Sequence, residues 1–195
     1  MMRRSAIVMV VLVSLVRAAW GQDLEKKPLV PAHADPTPLP LTATGTVSST
    51  NADLTPGDQA PDFRLDSSLG GVTRRADLRG RWSVLVFDES RTQLAALGVV
   101  GDSIRAMGVQ PFGVCRDGVG ALKTFALREK IVFPLLSDPT GEISQLFGMY
   151  DDDHRAIQSG IVIVDAQGVV RMVLQGSSLH ADEVLQLVKH AVRGT

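Results

Sequence analysis

The sequence of 195 residues holds a single cysteine, Cys115. One thiol excludes an intrachain disulfide, a C-x-x-C redox pair and any zinc site built from several cysteines. Aromatic residues are scarce, at 5%, and charge of one sign is missing, with 20 basic residues against 21 acidic. A formal charge of −1 offers nothing to attract a phosphate backbone, so no nucleic-acid partner is expected. The apolar run at the N-terminus, Ala6 to Val16 broken at Ser14, is too short to cross a ~30 Å hydrocarbon layer as a helix. What is present is a hydrophobic share of 45%, enough for a core and too much for a wholly disordered chain.

Arg3 and Arg4 precede that apolar run, and Ala19-Trp20-Gly21 follows it with small residues at the two positions a signal peptidase reads. This pattern predicts a secretory signal peptide over residues 1–21 and a mature start at Gln22; an uncleaved anchor is the competing reading. No cysteine follows the run, which excludes a lipoprotein anchor. The expected location is periplasmic or extracellular, with no stable membrane insertion after cleavage. Cleavage would remove Arg3, Arg4 and Arg17 and no acid, leaving 17 basic and 21 acidic residues, a net charge of −4. Residues 22–55 carry five prolines between Pro28 and Pro40 and then a Ser/Thr-rich stretch. Little there can be buried, and we expect a disordered tether. The folded domain is expected over residues 56–195.

Within that domain, the alternation Asp62-Phe63-Arg64-Leu65 before Gly70-Gly71 predicts a hairpin. Trp82 to Phe87 and Pro111 to Cys115 are short continuous apolar runs, the pattern of strands covered on both faces. Ser90-Arg91-Thr92-Gln93 has the spacing of a capping box, and Leu94, Leu97, Val100, Ile104 and Met107 recur at helical spacing up to Gly108. Asp117 is placed to cap a helix through Lys130, with Leu122, Phe125 and Ala126 inward. Val132 to Leu136 predicts a strand, and Asp138-Pro139 a short helix with proline at its first position. A hairpin over Ile161 to Leu174 and a helix over Ala181 to Val192 complete the chain. Such alternation requires an α/β domain, a mixed central sheet flanked by helices, in a thioredoxin-like layout.

Five segments carry a family resemblance: PGDQAPDFRL at 56–65, ADLRGRWSVLVF at 76–87, FGVCRD at 112–117, FPLLSDPTGEISQLFGM at 133–149 and GIVIVDAQGVVRMVLQG at 160–176. In this order they resemble the peroxiredoxins, the alkyl hydroperoxide reductase/thiol-specific antioxidant branch of the thioredoxin superfamily. The resemblance implies a thioredoxin fold, pairing as a homodimer, and a thiol that attacks peroxide from a Pro-x-x-x-Thr-x-x-Cys loop at a helix start. Laid without gaps from Phe87, the proline of that loop falls on Glu89, the threonine on Gln93 and the nucleophile on Ala96. The family's activating arginine falls on Ser159. A thiolate pathway needs a thiol and a positive charge to lower its pKa, and these positions supply neither.

Cys115 is the remaining candidate nucleophile and Arg116 its candidate activator. The thiol ends a central strand, where α/β folds place ligands, and a helix start follows. Asp117 opposes activation, and a small buried thiol at a strand end is commonly inert. Were Cys115 active, it would pass through a sulfenic acid reduced by an external thiol, since the chain has no resolving cysteine. Asp151-Asp152-Asp153-His154 holds metal-ligand residue types, but consecutive turn residues seldom converge on one ion. Asp88 and Glu89 are an acidic pair beside the vacated site, suited to a base or simply to leaving a strand. His180 and His190 read as surface residues, and GVVG and GVG lack dinucleotide spacing. We assign no cofactor and no metal.

Two functions follow. One is an exported binding or scaffolding module on a peroxiredoxin-like fold, with an unidentified protein partner. The other is a one-Cys thiol peroxidase, an antioxidant oxidoreductase using Cys115 and a thiol partner.

Overall fold

A computed structural model describes residues 54–194. The expected signal segment, residues 1–21, and the tether up to residue 53 lie outside the described residues. Leu54 packs on the core, and the Thr55 N–H and Oγ donate to Asp58 at 2.8 and 2.7 Å.

The first hairpin is β1 (Arg64–Ser67) and β2 (Val72–Arg74), turned by Gly70 and Gly71 at φ 94° and 73°, angles that favour glycine. A short 3-10 turn (Arg75–Leu78) leads to β3 (Ser83–Phe87), then α1 (Thr92–Ala106) and β4 (Gln110–Cys115). Next come α2 (Val119–Glu129), β5 (Leu135–Ser137) and α3 (Glu142–Leu146). A two-stranded ribbon follows, β6 (Tyr150–Asp151) and β7 (Ala156–Ile157), then β8 (Gly160–Val164), β9 (Val170–Gln175) and α4 (Ala181–Arg193). The seven-stranded sheet has the order β2-β1-β5-β4-β3-β8-β9. β3, β4 and β5 run parallel, and β8 returns antiparallel to β3. The mixed sheet and the hairpin expected from the alternation are therefore those observed.

Strand periodicity divides the core in two. Val84 and Val86 of β3, with Ile161 and Ile163 of β8, face α1, α2 and α4. Leu85, Phe87, Val162 and Val164 face the opposite layer, where Leu78, Phe147 and Met149 pack. Every residue of β3 and β8 is buried, which is why both read as apolar runs, broken in β3 only at Ser83. Gly113 of β4 lets α1 sit close, since a Cβ there would lie 2.8 Å from a Leu94 methyl and 2.7 Å from one of Leu135. The β8–β9 turn is tied by buried Asp165, which accepts from the N–H groups of Gln167 and Val169, both at 2.9 Å, and pairs with Arg171 at 2.6 Å. Burial alone would raise the Asp165 pKa, but these bonds together hold it below the usual carboxylate range.

Local signals were less faithful than periodicity. Ser90 and Gln93 form no capping box: the Gln93 N–H donates to Asp88 Oδ2 at 2.7 Å, and the Gln93 amide turns away toward the β9–α4 loop. Asp117 does not cap α2, because its carboxylate is taken by Arg91, and Gly118 stands at the helix start. Asp138-Pro139 precedes a turn, closed by the Gly141 N–H on the Asp138 carbonyl at 3.1 Å, so α3 begins three residues after the proline. Asp138 still serves that helix, accepting from the Ser144 N–H and Oγ at 2.7 Å. β5 starts only at Leu135, with Val132 exposed. The ribbon β6–β7, two residues per strand, carried no periodic signal.

Candidate functional site at the start of α1

The C-terminal ends of β3 and β4 and the N-terminal end of β8 meet at the first turn of α1. Phe87 pairs with Gly160 across β3 and β8, which places Ser159 beside Asp88. The Ser159 hydroxyl donates to Asp88 Oδ1 at 2.9 Å. The Ser90 hydroxyl lies 3.1 Å from both oxygens of the same carboxylate, and the Ser90 N–H reaches Oδ1 at 3.3 Å. With the Gln93 N–H on Oδ2, buried Asp88 gathers donors from two loops and a helix end. Negative charge is favoured at a helix N-terminus, where the backbone N–H groups lack helical partners.

Neighbouring side chains are committed to other segments. Glu89 Oε2 accepts from the Ile157 N–H at 3.0 Å, holding the β6–β7 ribbon. The Gln93 amide donates to Ser178 Oγ at 2.8 Å and the Leu179 carbonyl at 3.0 Å, and its oxygen accepts from the Leu179 N–H at 3.0 Å. Arg91, in the left-handed region at φ 66°, donates from Nε and an Nη to the two Asp117 oxygens at 2.5 and 2.6 Å and stacks over Phe125. That two-point grip is the geometry in which Arg–carboxylate pairs are strong. It holds the Asp117 carboxyl below its usual range and raises Arg91 above its own. Ala96, the position to which the resemblance assigns the nucleophile, is half-buried in α1.

Cys115 lies on the α1 side of the sheet and is fully buried. Its Sγ stands 3.5 Å from Asp117 Oδ2. Burial pushes the thiol up to about 12, and the Asp117 carboxylate adds to this; the Asp117 N–H and the Arg91 charge pull the other way with less effect. Arg116 does not meet the thiol. Its guanidinium donates to the Arg155 carbonyl at 2.7 Å and to the Pro139 carbonyl at 3.4 Å. The guanidinium nearest the thiol belongs to Arg91 instead, a long-range pairing across 26 residues that leaves no spacing signal in the sequence.

The other candidates stay apart. Asp151 accepts from the His154 N–H and lies 2.7 Å from its Nδ1 on an exposed turn, while Asp152 accepts from Gln145. Among the described residues no group of three or more His, Cys, Asp or Glu side chains could hold a metal ion, and no helix is long and apolar enough to cross a membrane. His180 and His190 are exposed.

The curated relatives carry peroxiredoxin names. The chain is 26% identical over 149 residues to peroxiredoxin 2 of Thermoplasma acidophilum, covering 68% of this chain and 74% of that one. It is 26% identical over 162 residues to mouse peroxiredoxin-2, covering 73% and 81%. A putative peroxiredoxin of Mycobacterium tuberculosis is 31% identical over 105 residues, 51% of this chain and 67% of its own. Among solved structures, AhpC of Enterococcus faecalis superposes with a TM-score of 0.65 at 20% identity, covering 73% of this chain and 97% of that one. Peroxidoxin BcpB of Mycobacterium tuberculosis gives 0.64 at 20%, covering 72% and 97%. These likenesses establish the thioredoxin-like peroxiredoxin fold. The AhpC/TSA family model matches residues 56–173, and the chain belongs to the AhpC/TSA family.

Proposed function

We propose that this protein is a non-catalytic binding or scaffolding module on a peroxiredoxin-like fold. The observation that carries the reading is the occupation of the α1 N-terminus by Asp88. A carboxylate already holds the Gln93 N–H and the Ser159 hydroxyl, where an active site would need an open polar pocket for its reacting oxygen. The one thiol is buried, with a pKa of about 12, so almost none of it is thiolate at neutral pH. Glu89, Arg91 and Gln93 tie the same turn to the β6–β7 ribbon, the β4–α2 loop and the β9–α4 loop. We further propose export, with the segment over residues 1–21 removed before Gln22.

The test is peroxide consumption by the purified chain with excess dithiothreitol, together with dimedone capture of any sulfenic acid. The expected result is consumption no faster than that of Cys115→Ser, and no capture. Turnover or sulfenate formation that disappears in Cys115→Ser would overturn the reading in favour of a one-Cys peroxidase. Mass analysis of the protein recovered outside the cytoplasm checks export, with Gln22 expected at its N-terminus.

A further inference from the structure

A groove of about 380 Å³ opens at the end of β4 remote from Cys115. Phe112 and Pro134 form its apolar floor, and Leu69 and Val132 line it, 60% and 55% exposed. These are two of five large hydrophobic side chains exposed among the described residues, and they share one depression. Its volume falls within the range of roughly 300–1,000 Å³ common for ligand sites. Clustered exposed apolar side chains with a polar rim mark interaction surfaces.

The rim is basic. Arg81 and Arg105 line the groove and also the depression beside it, formed with Gly108, Val109 and Gln110. Arg81 makes only a long contact, 3.5 Å, to the Gln110 amide oxygen. Arg105 pairs with Asp102 at 3.3 Å, an exposed partner that water screens. The one acid lining the groove, Asp77, turns an oxygen back to the Arg74 N–H at 2.7 Å. The segment leading to the groove holds Arg74, Arg75, Arg79 and Arg81 in eight positions, in a chain whose net charge is −1. Across the hairpin Arg64 and Arg74 stand directly opposite, a like-charge pair that costs stability unless an anion relieves it.

We propose that this groove docks an extended peptide segment of a partner protein, with apolar side chains on Leu69, Phe112 and Val132 and carboxylates at Arg81 and Arg105. It rests on the binding-module reading in one respect, that it gives such a module its surface; the groove shares no residue with the α1 site. Charge on the rim governs encounter and register, and the apolar floor supplies contact area.

The probe is a short fluorescein-labelled peptide alternating leucine and glutamate, with its leucine/lysine counterpart as control, titrated into the isotopically labelled chain. The expected result is saturable, salt-sensitive binding of the acidic peptide, with amide shifts at Leu69, Phe112 and Val132. Arg81→Glu with Arg105→Glu weakens it about tenfold or more, and Val132→Asp abolishes it while the folded spectrum persists. Equal affinity for the lysine peptide, or shifts elsewhere, would overturn the proposal. So would a dimer dissolved by Val132→Asp, which would assign the groove to a second copy of this chain. Peroxide turnover would sink the binding-module reading and leave this result standing, so the two failures are distinguishable.

Discussion

Arg91 and Asp117 are joined by two hydrogen bonds of 2.5 and 2.6 Å, and the Asp117 oxygen facing Arg91 Nε also faces the Cys115 thiol. The guanidinium is thereby spent on a carboxylate, and the carboxylate opposes ionisation of the sulfur. The paired Arg91 still lowers the cysteine pKa, but burial and the Asp117 carboxylate outweigh it.

Alkaline pH should expose this arrangement as a loss of stability. The folded thiol titrates at about 12, above an unfolded value of roughly 8.5. Its contribution is whole below roughly 8.5 and is lost as pH rises toward 12, because the unfolded chain releases the proton first. Between those limits the cost approaches roughly 1.4 kcal/mol per pH unit. Denaturant unfolding of wild type and Cys115→Ala from neutral to alkaline pH checks it, the variant showing the shallower decline. Parallel curves would mean that Cys115 ionises equally in both states.

Asp117→Asn removes the negative charge while keeping the shape. The Cys115 pKa should fall below about 12, since the carboxylate raises it and the freed Arg91 charge lowers it. Iodoacetamide labelling of the native protein at mildly alkaline pH should run faster than in wild type. Acid behaviour should change in the opposite sense. The Asp117 pKa is lowered in the folded protein, so its contribution is present above the unfolded value near ~3.9 and fades as pH falls through the folded value. The asparagine variant should lack that acid-limb loss, which unfolding curves taken down the acid range would record.

The sheet and its layers were legible because burial imposes a period. β3 from Val84 onward and β8 are apolar since both faces are covered, and Leu94, Leu97 and Ile104 of α1 recur at helical spacing for the same reason. The site was legible mainly as an absence, Ala96 and Ser159 where the resemblance calls for a thiol and a guanidinium. What fills the gap was not legible. The capping signals at Ser90, Gln93 and Asp117 were all overridden, Ser90 by the neighbouring Asp88 carboxylate and the side chains of the other two by distant partners. Asp88 reached the Gln93 N–H first, Gln93 was drawn to Leu179, and Arg91 claimed Asp117 from 26 residues away. The two long-range pairings are set by where strand ends meet, which spacing alone does not encode.

Gln93 should act as a latch between α1 and the β9–α4 loop. Its buried amide exchanges three hydrogen bonds with Ser178 and Leu179, 85 and 86 residues away. Gln93→Leu fills similar space without making them, leaving the Leu179 N–H and carbonyl without these partners. Hydrogen exchange should quicken at Leu179 and through the first turn of α4, with the β3 amides unchanged. Uniform acceleration would indicate global destabilisation and argue against a local latch.

Asp88 is the residue on which the closed site depends. Removing its carboxylate strands the buried Gln93 N–H, and such an orphaned group costs roughly 1–3 kcal/mol; the half-buried Ser159 hydroxyl loses its partner as well. Asp88→Ala should therefore unfold at clearly lower denaturant concentration, with an unchanged slope. Asp88→Asn keeps one acceptor oxygen and should lose less. The decisive comparison adds Ser159→Ala to each. If Ser159 matters only as a donor to this carboxylate, its removal costs stability in the wild-type background and little in Asp88→Ala. The coupling energy from that double-mutant cycle should then clearly exceed additivity, whereas additive losses would show that the Asp88–Ser159 contact does not hold the start of α1 closed.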